Sequence, residues 1–208
     1  MKLAVCMWYD DTIKEYADIS RKINQRYCDT RGYDLIVSHK KHFFDRHPAW
    51  ERFPMVQSIL EEGTYDYVVY IDADACFRNT CSLSLESIIA TNTDKHIIFT
   101  GDPEYILCTG LLVFKNSPIS TGFIASVIDA TYSKAWFYKH PWDQHSTICC
   151  YQRNLFNIQS ESSIIPYGIL QSFAPEKYPD SLIIHFERRS KDVRVKALTA
   201  EADNNIIT

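Results

Sequence analysis

Asp66-Tyr-Val-Val-Tyr-Ile-Asp72-Ala-Asp74-Ala-Cys-Phe77 is a run of apolar and aromatic residues that ends in two acids one residue apart. Val68 to Ile71 lack polar alternation, so the run reads as a strand covered on both faces, as in the largely parallel sheet of an α/β domain. Ligands of such sheets bind beyond the carboxyl ends of the strands. In extended geometry Asp72 and Asp74 leave one face roughly 6–7 Å apart, at ~3.3 Å rise per residue, too wide to share an ion. A bend at Ala73 would converge them on Mg²⁺ or Mn²⁺, which takes oxygen ligands at about 2.0–2.2 Å and keeps water or phosphate oxygens in its other positions. The pair therefore suits a metal that itself holds a diphosphate. The plainer alternative is a solvated strand end or an Asx-capped turn.

Upstream, Leu3 to Trp8 reads as a strand and Tyr9 to Thr12 as the loop leaving it. From Ile13 the residues Tyr16, Ala17, Ile23 and Tyr27 fall near helical spacing, Gly32 supplies a stop, and Tyr33 to Val37 is a second strand. Strand, helix, strand in this order predicts a parallel βαβ unit. Ser38 to Trp50 is polar and aperiodic. Its His39, His42 and His47 stand three and five apart with only Asp45 nearby, a pattern that favours solvated or substrate-contacting histidines over a metal set. Glu51 to Glu62 is helical, with Pro54 in its first turn and Gly63 as its stop.

Downstream, Leu83 to Ala90 reads as a helix and His96 to Thr100 as a strand. Leu107 to Phe114 reads as a strand interrupted by Thr109-Gly110, and a glycine there marks close approach of a ligand or another backbone. Ser117-Pro118 opens a helix whose stripe, Ile119, Phe123, Ile124, Val127, Ile128 and Thr131, is read as core packing. Trp136, Phe137, Tyr138, His140 and Trp142 follow, able to stack on sugars or to fill a core. Asp143-Gln144 opens a helix through Ile148 and Tyr151. Leu182 to Phe186 is a late strand carrying His185, and the basic Arg188, Arg189 and Lys191 after it could bind phosphate.

The chain has 208 residues, enough for one α/β domain spanning 1–208. Its 46% hydrophobic and 23% charged residues are those of an ordinary globular protein. No apolar run approaches the ~20 residues of a membrane span. A net charge of −4 and a pI near 6.0 argue against nucleic acid as a partner. Seven cysteines (Cys6, Cys28, Cys76, Cys81, Cys108, Cys149 and Cys150) contain no Cys-x-x-Cys pair, so neither a zinc cluster nor a disulfide framework is expected. Free thiols in apolar runs and a Met1 leading straight into a strand predict a cytoplasmic address. The polar stretch Ala200 to Thr208 suggests continuation into a further domain, or an excised piece.

With these motifs in order, the sequence resembles the GT-A type glycosyltransferases, most closely the galactosyl- and xylosyltransferase family 34 and its relatives encoded by large algal viruses. Asn24 to Tyr33 looks like that family's first helix ending in Tyr-x-x-x-x-Gly-Tyr, and Ala49-Trp50 to Leu60 like its helix before the metal strand. Tyr70-Ile-Asp72-Ala-Asp74-Ala is similar to its Asp-x-Asp motif. Thr109-Gly110 to Asn116-Ser117, Asp143-Gln144 and His185-Phe186 look like its later motifs. Cys108 stands where the family pattern has asparagine, and Glu187-Arg188 where a glycine is usual nearby.

The resemblance implies a single GT-A (Rossmann-like) domain, with a central mostly parallel sheet flanked by helices. It also implies sugar transfer from a nucleoside diphosphate sugar, UDP-linked in the first instance, to a glycan or glycoprotein acceptor, with retention of configuration. Asp72, Asp74 and His185 would ligate Mn²⁺ or Mg²⁺. Met7, Trp8, Tyr9 and Asp10 would cradle the base, Asp72 and Ala73 would lie along the nucleotide sugar, and Arg188, Arg189 or Lys191 would meet the phosphates. Asp143 and Gln144 would lie at the anomeric carbon, and Thr109, Gly110 and Trp142 at the acceptor.

Two other readings compete. A haloacid dehalogenase-type phosphatase also ends an apolar strand in Asp-x-Asp, but it expects Thr or Val where Cys76 stands and places the motif near the N-terminus. A non-catalytic sugar-nucleotide-binding module would keep the fold without turnover.

Overall fold

The computed structural model describes residues 1–79 and 81–204, so the end of the polar stretch, 205–208, lies outside the described residues. The chain runs β1 (Leu3–Trp8), α1 (Lys14–Arg31), β2 (Asp34–Ser38), α2 (Arg52–Glu61), β3 (Tyr67–Ile71), β4 (Ala75–Phe77), α3 (Leu85–Ala90), β5 (Ile97–Thr100) and β6 (Cys108–Lys115). It continues through α4 (Pro118–Ile128), α5 (Ala130–Ser133), α6 (Asp143–Gln152), α7 (Ile158–Glu161), β7 (Ser162–Ile165), β8 (Gln171–Ser172), β9 (Ile183–His185) and α8 (Lys191–Asn204). Gly32 closes α1 at φ 71°, the left-handed cap for which glycine carries no Cβ penalty.

The main sheet has the order β2-β1-β3-β6-β5-β7. The β1/β2, β1/β3 and β5/β7 pairs are parallel, and β6 alone runs against its neighbours β3 and β5. The expected βαβ opening and mostly parallel sheet are both present. Alternate residues of the central strands feed two cores. Val5, Met7, Val69 and Ile71 pack with α1, α3 and the small second sheet, and Cys6, Trp8, Val68 and Tyr70 pack with α2, α4 and α6. Burial on both faces is the reason these strands read as continuous apolar runs.

The small sheet has the order β4-β9-β8 and sits against the carboxyl end of β3. Four chain segments meet at that edge. β3 ends there, β6 begins there because it is reversed, β4 leaves at Ala75, and β9 arrives with His185 opposite Ala75.

The structure departs from the sequence reading in several places. The stripe through Thr131 is broken, because the Asp129 carboxylate accepts from the Thr131 amide at 2.8 Å and starts α5 as a separate turn. β7, β8 and α8 had no counterpart in the sequence reading; β8 spans two residues, and α8 buries only Leu198 of its fourteen. All seven cysteines are free. Among the described residues no helix is long and apolar enough to cross a membrane.

Candidate metal centre and cleft

The chain bends after β3 as the acid pair required. The Ala75 amide donates to the Asp72 carbonyl at 3.0 Å, and the Asp72 amide donates to the Gly110 carbonyl at 2.8 Å. From below, Asn24 of α1 clamps the bend: its Nδ2 donates to the Ala75 carbonyl (3.1 Å) and its Oδ1 accepts from the Phe77 amide (3.0 Å). Ser20 also donates to the Ala75 carbonyl, and Tyr27 stacks flat on Phe77 at 4.1 Å. The conformation that converges the carboxylates is thus held by buried side chains of the first helix.

His185 Nε2 donates to Asp74 Oδ1 at 3.0 Å and lies 3.5 Å from Asp72 Oδ2. One ligand atom from each of Asp72, Asp74 and His185 falls within 4.8 Å of the others. Adjacent ligands of an octahedral ion at ~2.1 Å stand about 3.0 Å apart, close to the spacing of the imidazole nitrogen from the two carboxylate oxygens. Two hard oxygens with one imidazole nitrogen is a donor set that Mn²⁺ accepts, so the residues fit such an ion.

Gly110 explains how the ring comes so close. A Cβ on residue 110 would stand 2.3 Å from His185 Cε1, 2.5 Å from its Nδ1 and 3.1 Å from Asp72 Oδ2. The close approach that the glycine signalled is made by His185 and Asp72.

Behind the acids lies Arg52, the first residue of α2 and 6% exposed. Its Nη2 is 3.1 Å from Asp72 Oδ1 and its Nε 3.1 Å from Asp143 Oδ2. Nε also donates to the Ala49 carbonyl (2.9 Å), and Nη1 donates to the Thr109 carbonyl. Sequence reading passed over Arg52, although two charges inside Trp50-Glu51-Arg52-Phe53 were a signal: charged residues are seldom fully buried unless paired. Glu51, 1% exposed, accepts from the amides of His42 (2.8 Å) and Phe43 (2.9 Å) and pairs with the His42 ring at 3.0 Å. His39 meets the Tyr9 carbonyl at 2.7 Å. The third, His47, accepts from the Ala49 amide at 3.2 Å and stacks on Trp142 at 3.8 Å, so all three loop histidines are engaged by the protein itself.

The charges shape one another. Burial pushes the Asp143 carboxyl up, Arg52 offsets only part of the shift, and the group settles at about 6. Asp72 is also raised by burial, against the pull of Arg52 and His185. For Asp74 burial acts upward, but His185 and Arg194 outweigh it and hold the carboxyl below its usual range. Burial would lower His185, yet Asp74 and Asp72 hold it well above the ordinary imidazole value.

These groups line two adjoining hollows. One, of about 370 Å³, runs from Trp8, Asp10 and Thr12 past Tyr16 to Asp72, Ala73 and Asp74. The other, of about 340 Å³, holds Thr109, Gly110, Asp143, Gln144, His185, Glu187 and Arg188. Arg52, Asp72, Asp74, Trp142 and Arg194 border both, so the acid pair stands at the junction of one cleft. Gln144 accepts from the Thr109 amide at 3.2 Å, and Trp142, at φ 50°, takes a left-handed conformation costly for a bulky residue just before Asp143.

Some candidates stand away from the junction. Met7 is fully buried with its sulfur at Asn24 (3.4 Å), and the Tyr9 hydroxyl donates to Asp18 at 2.8 Å; the wall of the first hollow at this point is Trp8 and Asp10. Arg189 donates to the Phe173 carbonyl (3.2 Å), Lys191 pairs with Glu15 (2.9 Å), and Arg188 pairs with Glu104 (2.6 Å) at the rim. Arg194 of α8 stands 2.8 Å from Asp74 Oδ2 and was not anticipated.

No protein-family model and no curated protein matches the sequence. Solved structures do match. A glycosyltransferase involved in the glycosylation of the major capsid of PBCV-1 superposes with a TM-score of 0.79 at 15% identity, covering 96% of this chain and 100% of that one. The glycosyltransferase GlyE of Streptococcus pneumoniae TIGR4 gives 0.56 at 15% identity, and its apo form 0.57 at 12%, each covering 98% of this chain and 63% of that one. At these identities the likeness shows a shared fold.

Proposed function

We propose that residues 1–208 form one catalytic domain of the GT-A type, related to glycosyltransferase family 34, that moves a sugar from a nucleoside diphosphate sugar to a glycan acceptor with metal assistance. The observation that carries this reading is the convergence of Asp72, Asp74 and His185 at the junction of a two-part cleft, on a fold shared with glycosyltransferases. The hollow from Trp8 and Asp10 takes the nucleoside, with the UDP-linked donor as the first candidate. The diphosphate passes Asp72 and Ala73 at the junction, and the sugar enters the hollow of Asp143 and Gln144. Thr109, Gly110 and Trp142 border the space left for the acceptor.

Asp72, Asp74 and His185 would hold Mn²⁺ or Mg²⁺, which when bound neutralises charge on the departing diphosphate. The chain's own residues do the rest. Arg52 fixes Asp72 and Asp143 relative to each other, so the diphosphate and the anomeric carbon are positioned by one buried cation. Asp143, ionised at neutral pH, stabilises positive charge developing at the anomeric carbon, and transfer proceeds with retention. Gln144, locked to the Thr109 amide, sets the floor beneath the acceptor.

A thermal-shift screen of nucleotide sugars with and without Mn²⁺ tests the reading, since a ligand bound only by the folded state raises the melting temperature. Stabilisation by a nucleotide sugar that depends on Mn²⁺ is expected, followed by its slow hydrolysis. Hydrolysis of simple phosphate esters in preference to nucleotide sugars would point to the phosphatase instead. Metal-dependent binding without any turnover would point to the binding module.

A further inference from the structure

Arg194, like the more deeply buried Arg52, touches a candidate metal ligand at the cleft. Its Nε lies 2.8 Å from Asp74 Oδ2 and donates to the Phe186 carbonyl at 3.0 Å, while its guanidinium covers the Tyr16 ring at 5.2 Å. Both polar contacts use Nε, so the terminal nitrogens make no hydrogen bond among the described residues. The side chain borders both hollows and is 22% exposed. Arg188, Arg189 and Lys191 are engaged with Glu104, the Phe173 carbonyl and Glu15.

The Asp74 carboxylate therefore has one oxygen on His185 and the other on Arg194. A divalent cation among Asp72, Asp74 and His185 draws on the same carboxylate charge and repels the neighbouring guanidinium. We propose that Arg194 is an exchangeable counter-ion: it stands on Asp74 while the metal is absent, and loading of the metal frees it for the diphosphate that shares the ion. This rests on the metal and nucleotide reading above. Arg194 weakens binding of the metal alone and strengthens binding of the nucleotide once the metal is in place, so it couples the two ligands in the sense of positive cooperativity.

Calorimetry of Mn²⁺ alone, and of UDP with GDP in parallel at saturating Mn²⁺, tests the proposal on the wild type, Arg194→Gln and Arg194→Lys, with melting curves to verify folding. For Arg194→Gln the expected result is Mn²⁺ binding tighter by about fivefold, as a partly buried competing ion pair is removed. Diphosphate binding should be weaker by about tenfold or more, as a charge-assisted contact is lost. Arg194→Lys keeps the charge and should hold Mn²⁺ affinity near the wild type while restoring part of the nucleotide affinity. A merely structural arginine would weaken both ligands in Arg194→Gln, and a simple phosphate ligand would leave Mn²⁺ affinity unchanged; either result overturns the exchange. A wild type that binds no Mn²⁺ removes the metal reading itself, whereas a wild type that binds Mn²⁺ and an Arg194→Gln that binds it no tighter removes Arg194 alone.

Discussion

Replacing Gly110 by alanine adds one methyl group where the structure has no room for it. The new Cβ would stand 2.3 Å from His185 Cε1, against 3.4 Å for ordinary contact, so the ring must retreat by 1.1 Å (3.4 less 2.3). It has little freedom to do so, with Phe173 edge-on at 5.4 Å and β9 paired to β4 at Ala75↔His185. Metal–ligand distances tolerate about 0.2 Å, so a displacement several times larger takes the imidazole out of the coordination shell. Mn²⁺ affinity of Gly110→Ala should fall at least about tenfold, the lower end of what misorienting a ligand costs. Overpacking should cost about 1–3 kcal/mol of stability, so the variant is expected to fold. Calorimetric titration of Mn²⁺ into the folded variant is the assay. Wild-type affinity would refute the reasoning, because it would mean that the ring moves freely or that His185 does not touch the ion.

Further outcomes follow from the same geometry. Because Asp143 protonates at about 6, transfer at saturating donor should fall as pH drops through that value; Asp143→Asn should lose most transfer while keeping nucleotide affinity, and a rate flat between about pH 5 and 7 would contradict this role. His185 holds its proton well above the ordinary imidazole range and Mn²⁺ must displace it, so Mn²⁺ affinity should keep rising with pH beyond neutrality. A plateau below about pH 6.5, the unperturbed imidazole value, would sink that expectation. Asn24→Ala strips the partner from the buried Phe77 amide and should cost about 1–3 kcal/mol, a drop of roughly 2–4 °C in melting temperature per kcal/mol for a chain of this size; a melting temperature within about 1 °C of wild type would show that the clamp is dispensable.

Strand β3 with its acids, the βαβ opening and His185 at a strand end were legible because burial on two faces leaves an unbroken apolar run and polar residues stand out where it stops. Reversal of β6 was not legible, since an apolar run carries no direction. Arg52 was missed for a different reason. An arginine at the head of a helix is ordinarily solvated, and only the placement of α2 against the end of β3 and the start of β6 makes it a buried partner of Asp72 and Asp143. Arg194 was invisible because α8 buries a single leucine and gives almost no periodic signal. The phosphate role given to Arg189 and Lys191 followed proximity in sequence to His185, whereas the helix they introduce turns them toward Phe173 and Glu15.

The contact between Asp74 and His185 spans 111 residues of chain, and it sits on a strand of only three residues. β9 is tied to β4 through three residue pairs and to β8 through two, a ladder too short to hold the closing segment by itself. Joining the two ends of so long a stretch lowers chain entropy whichever group makes the joint. An ion shared by Asp72, Asp74 and His185 would thus act as a clasp on the segment that carries β9 and α8. Fraying of β9 and α8, which their packing on α1 and the short ladders to β4 and β8 also oppose, would then depend in part on the free concentration of a divalent cation.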